Sequence, residues 1–107
     1  MFSVFFTKTA VSDLAELYSY ISENDVPSKA KKILHKLENA CLGLAKNPER
    51  GRFPKELLIL GIREYREIII APYRIIYRIY DKKVFIYLIT DGRRDMQTLL
   101  QRRLFEI

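Results

Sequence analysis

A chain of 107 residues, 49% of them hydrophobic, can build one domain with its own core but is too short for two, so residues 1–107 are read as a single domain. The net charge of +6 argues against an acidic disordered tail and points to a polyanionic or acidic partner. One cysteine excludes a disulfide framework and a multi-cysteine metal site, and a reducing compartment is expected.

The first element is a short β-rich run, Phe2-Ser3-Val4-Phe5-Phe6. No basic residue precedes it, so it does not read as a secretory signal. No apolar run approaches the roughly 18 residues of a membrane span. A cytoplasmic protein without a membrane partner is expected. Thr7 or Thr9 can cap a helix whose apolar residues fall at Ala10, Leu14, Leu17, Tyr18 and Ile21, one face at helical spacing. Asn24-Asp25 interrupts it.

A second helix begins near Pro27, where the missing N–H costs nothing. Its stripe is Ala30, Ile33, Leu34, Leu37, Cys41, Leu44 and Ala45, and Asn47-Pro48 ends it. The two form an antiparallel hairpin. Residues 48–61, with Pro48, Gly51, Pro54 and Gly61, read as an irregular connection whose Leu57-Leu58-Ile59-Leu60 run must touch the core.

Strands follow at Arg63–Ile70, Tyr73–Tyr80 and Val84–Thr90. The middle one alternates. Tyr73, Ile75, Tyr77 and Ile79 point one way, and Arg74, Ile76, Arg78 and Tyr80 the other. A tight turn at Asp81-Lys82 or Lys82-Lys83 makes a hairpin of the last two. A final helix, Met96–Leu104, starts behind Asp95 as N-cap. Helices and strands segregate, which gives an α+β class in the order β-α-α-β-β-β plus a short C-terminal helix. The helical hairpin is expected on one face of an antiparallel sheet, leaving the other exposed with Arg74 and Arg78 on it.

Eight of the ten arginines, Arg63, Arg66, Arg74, Arg78, Arg93, Arg94, Arg102 and Arg103, lie after residue 62, whereas seven of the nine lysines lie before it. Arginine's planar fork suits phosphate or carboxylate. The arginines form either a binding face or a solvated surface partly paired with Glu64, Glu67 and Asp81. Cys41 lies in an apolar stripe and His35 is about 240° around the helix from it, so they form no thiol–imidazole pair. Asp91 and Asp95 are expected to be neutralised by Arg93 and Arg94, with Asp95 also a cap. There is no phosphate-binding glycine loop, zinc spacing or G-x-S-x-G. No cofactor and no metal are expected.

The phrases Asp13-Leu14…Tyr18-x-x-Ile21, Asn47-Pro48-x-x-Gly51, Tyr65-Arg66, Tyr73-Arg74-Ile75-Ile76-Tyr77 and Gly92-Arg93-Arg94-Asp95 together resemble the toxins of the RelE/ParE superfamily, in order and over nearly the whole chain. The resemblance implies a toxin of a type II toxin–antitoxin module, neutralised by a cognate antitoxin, ParD-like or another small one, and reaching operator DNA only through that complex. RelE-like members cut messenger RNA on the ribosome, and ParE-like members poison DNA gyrase. Carried over by position, the nuclease arginines fall on Arg74 and Arg94, but the C-terminal tyrosine falls on Leu100. The nuclease lysine pair falls near Tyr65 and Glu67, with only Arg63 and Arg66 close by. Leucine cannot move a proton. The departure favours the ParE-like branch, with Arg66, Arg74, Arg78, Arg93, Arg94, Arg102 and Arg103 as the target-binding set. The alternatives are a RelE-like ribosome-dependent endoribonuclease using Arg74 and Arg94 on the scissile phosphate, and a binding module without toxicity.

Overall fold

The computed structural model describes residues 1–105. Four strands, β1 (Ser3–Phe6), β2 (Arg66–Ile70), β3 (Tyr73–Tyr80) and β4 (Lys83–Asp91), form one sheet in the order β1-β4-β3-β2. Four α-helices accompany them: α1 (Lys8–Asn24), α2 (Pro27–Leu42), α3 (Lys55–Leu58) and α4 (Met96–Phe105). The α+β class and the element order hold. The sheet is mixed rather than wholly antiparallel, because β1 pairs parallel to β4, Ser3 with Lys83 through Phe6 with Ile86. The helical hairpin between them carries the chain over one face of the sheet, and such a crossover is what a parallel neighbour requires.

Local signals set the ends of these elements. Thr7 caps α1, its side chain accepting from the Ala10 N–H at 3.2 Å. Pro27 opens α2, which tightens into a 3-10 turn at Gly43–Ala45 before Asn47-Pro48. Asp95 accepts from the Thr98 N–H and hydroxyl at 3.2 and 2.8 Å, capping α4. Asp81 and Lys82 both take positive φ, 46° and 60°, the backbone of a two-residue turn matched to the sheet twist.

The α1–α2 side of the sheet is the main core. Ile68, Ile75, Tyr77, Val84, Ile86 and Ile89 meet Ala10, Leu37, Cys41 and Leu44, all buried. Cys41 is 0% exposed, and burial pushes its thiol up to about 12, so it stays neutral there. Tyr77 donates to the Pro48 carbonyl at 2.5 Å and accepts from the Gly51 N–H at 3.1 Å, pinning the connection after α2 to the sheet. A Cβ on Gly51 would lie 2.7 Å from the Glu67 carbonyl oxygen, so only glycine fits this approach.

The other face is only partly exposed, which corrects the expectation of an open sheet face. Its middle is a second core in which Ile76 and Leu88 pack under Met96 and Leu100 of α4, with Leu57 and Tyr65. A bulge makes this possible. Ile76 pairs with Leu88 and Tyr77 with Ile86, so Tyr87 is unpaired and joins Leu88 on the α4 side. The connection at 48–61 contains α3, and its apolar run only partly reaches the core. Leu57 is 1% exposed, but Leu58, Ile59 and Leu60 are 38%, 81% and 57% exposed.

Candidate target-binding surface

The arginines separate into those spent inside the fold and those presented by it. Arg74 points from β3 to the α4 side of the sheet, as alternation requires, yet its side chain is 9% exposed. Its Nε donates to Glu67 Oε1 at 2.7 Å, and Nη1 and Nη2 grip the Glu56 carboxylate at 2.8 and 2.7 Å. Glu67 is fully buried and also accepts from Arg52 Nε at 2.9 Å. The expected exposure of Arg74 is therefore corrected. Two carboxylates, Glu56 on α3 and Glu67 on β2, close over it. The Glu56 hydrogen bond raises the Arg74 pKa, and the same bond lowers that of Glu56. A Cβ on Gly92 would meet the Arg74 Cδ at 2.6 Å, so this glycine lets the arginine stem run against the backbone after β4.

Arg103 is also inside. It pairs with Asp13 of α1 and donates to the Tyr87 carbonyl at 3.0 Å, while Asp13 accepts from the Ile89 N–H at 3.0 Å. β1 pairs with β4 only as far as Ile86. Beyond that point the outer edge of β4 is bonded by these two side chains instead of a strand, which blocks further strand pairing. Burial raises the Asp13 pKa against the opposing pull of Arg103. Asp13 shares the Ala10–Leu14–Leu17 face, so its position between apolar neighbours was the available signal of a buried carboxylate.

The presented arginines lie in two places. Arg93 and Arg94 are exposed on the loop between β4 and α4, with Arg102 exposed on α4. Arg93 pairs with Asp91 at 2.5 Å, which lowers the Asp91 pKa. Asp95 keeps its charge and is held by the Thr98 cap bonds rather than by an arginine, because α4 starts at once and turns its first amides toward it; those bonds lower its pKa. Arg94 donates to the Thr90 hydroxyl at 3.2 Å. Both arginines border a groove of 590 Å³ between α1 and the end of β4, walled by Leu17, Tyr20 and Tyr73. At the opposite corner, Arg66 stacks on Phe53 at 4.6 Å and donates to the Gly51 carbonyl at 2.9 Å. Arg78 lies against the rings of Tyr65 and Tyr80 at 5.9 and 5.8 Å. The seven arginines of the expected set thus form no single face.

Leu100, at the position of the nuclease tyrosine, is 1% exposed on the sheet-facing side of α4. Among the described residues no group of three or more His, Cys, Asp or Glu side chains could hold a metal ion, and no helix is long and apolar enough to cross a membrane.

A small mixed sheet under a helical hairpin, with a capped C-terminal helix and scattered basic loops, defines a small basic α+β domain. The model of the ParE toxins of type II toxin–antitoxin systems matches residues 4–96, and the chain belongs to that family. A solved chain titled as the chromosomal ParDE toxin–antitoxin system from P. aeruginosa is similar in fold, with a TM-score of 0.72 and 22% identity over 85% of this chain and 96% of that one. No curated protein matches at a significant level. As a toxin of such a system, the chain has an antitoxin as its class of partner.

Proposed function

We propose that this toxin acts in the cytoplasm by inhibiting DNA gyrase and is neutralised by a cognate ParD-like antitoxin. The observation that supports this over RNA cleavage is the state of Arg74. All three of its guanidinium nitrogens are bonded to Glu56 and Glu67, and two carboxylates oppose its single charge on a side chain only 9% exposed, so little of it is offered to a scissile phosphate. Leu100 in the second core supplies no proton-transfer group either.

Arg93, Arg94 and Arg102 then form the first target-contacting set, with Arg66 and Arg78 a separate group at the far corner. Arg74 and Arg103 act by holding the fold. The test adds purified full-length toxin to gyrase, plasmid and ATP. Loss of supercoiling with accumulation of cleaved DNA is expected, together with loss of both effects in Arg93→Glu/Arg94→Glu at an unchanged melting temperature. Normal gyrase activity at saturating folded toxin, with new codon-positioned RNA ends in cells expressing it, would sink the proposal.

A further inference from the structure

The part of the sheet that α4 leaves open lies toward the Asp81 turn, and it is aromatic and basic. Phe5 of β1 pairs directly with Phe85 of β4, and Phe85 with Arg78 of β3, giving one rung across three strands. The two phenyl rings are near-parallel, 24° apart with centroids 5.6 Å from each other. The next rung is Ser3, Lys83 and Tyr80. Phe5 is 45% and Tyr80 62% exposed, and Phe85 and Arg78 are half-buried. The two rungs hold no aliphatic side chain.

Residues 78–86 carry Arg78, Lys82 and Lys83 against Asp81 alone, and β1 carries no charge. Arg78 continues into a shallow cleft that it shares with Arg63 and Arg66, tempered by Glu49 and Glu64. Aromatic rings and arginine also occur at protein interfaces, but those are depleted in lysine, whereas this patch has Lys82 and Lys83 beside its rings. Flat rings at strand spacing, edged by cations, instead match a chain of stacked bases with a phosphate on each link.

We propose that this open end of the sheet binds single-stranded nucleic acid, with Phe5, Phe85 and Tyr80 as base platforms and Arg78, Lys82 and Lys83 on the phosphates. The residues are distinct from Arg74 and Arg94, which the nuclease resemblance would place on a phosphate. The binding is a property of the isolated chain and does not depend on gyrase being its target.

The test is fluorescence anisotropy of the purified full-length protein at low salt, using labelled oligo(dU) and oligo(U) of about 12 nucleotides, which differ only in the 2′-hydroxyl and lie within the site sizes of such platforms. A mixed-sequence duplex of the same length is the control. Both single strands are expected to bind more tightly than the duplex. The relative affinity of the two identifies DNA or RNA as the natural strand. Three engaged cations predict a slope of log K against log salt of about −2. Tyr80→Ser and Phe5→Ser should each weaken binding roughly 5- to 150-fold, the range for loss of one stacked base. Tyr80→Phe should restore it, and Lys36→Ser, at an exposed position of α2, should change it little. Circular dichroism and a thermal melt establish that each variant is folded. Failure of both strands to bind, equal binding of the duplex, or full binding by folded Phe5→Ser and Tyr80→Ser would overturn the proposal. It would also fall if only antitoxin affinity responded to these substitutions, because the surface would then be a protein interface.

Discussion

The two faces of the sheet are built from the same alternating strands, yet they end up under different physical regimes. On the hairpin side, Ile75, Tyr77, Val84 and Ile86 are completely buried against α1 and α2, and the stabilisation is hydrophobic contact. The other face changes along its length. Near Gly92 it buries Arg74 between Glu56 and Glu67, in the middle it packs Ile76 and Leu88 under α4, and near Asp81 it is open and aromatic. The difference lies in the cover. α1 and α2 together roof a whole face, whereas α3 and α4 are short and roof only parts of theirs. Charge is tolerated where the cover supplies a counter-charge, and surface is left free where the cover ends.

The largest test of this contrast is Arg74→Ala. It leaves Glu56 and the fully buried Glu67 without their main cation, and an uncompensated buried charge costs about 3–5 kcal/mol. Urea denaturation measures it, and a loss under about 1 kcal/mol would mean the network is not closed in solution. On the hairpin side, Leu37→Ala removes a side chain with no exposure and should cost about 2–5 kcal/mol by the same measurement.

Acid titration separates the faces more finely. The Glu56 pKa is lowered in the folded state, chiefly by Arg74, so its stabilisation is full above its unfolded value and disappears as pH falls through the lowered one. The Asp13 pKa is raised, chiefly by burial. Its unfavourable contribution is therefore present above the raised value and relieved as pH falls through it toward the unfolded value, opposing the loss at Glu56. Glu56→Gln should flatten the fall in denaturation midpoint below about pH 4.5, and Asp13→Asn should steepen it. The smallest expected effect is Tyr80→Ser on the open end, within about 0.5 kcal/mol of wild type in the same unfolding assay. A larger loss would show that Tyr80 belongs to the core rather than to the presented surface.

Much of this fold is local and was readable residue by residue. Period 3.6 marks the hairpin stripe from Ala30 to Leu44, period 2 marks Tyr73 to Tyr80, and the Thr7, Pro27 and Asp95 ends follow from unpaired backbone groups at helix termini. The site was less legible. Alternation correctly put Arg74 and Arg78 on one face, but alternation names a side of the sheet and says nothing about what lies above it. The carboxylates that bury Arg74 come from residues 18 positions earlier on α3 and 7 earlier on β2. The pairing of Asp13 with Arg103 spans 90 positions, and the parallel seat of β1 beside β4 brings Phe5 to Phe85. The sequence by itself determined the elements other than α3, most of their apolar faces and the family, because these depend on spacing along the chain. Which arginines are buried and which are offered to a partner was decided only by tertiary structure, because desolvation and counter-charge depend on neighbours that chain distance does not reveal.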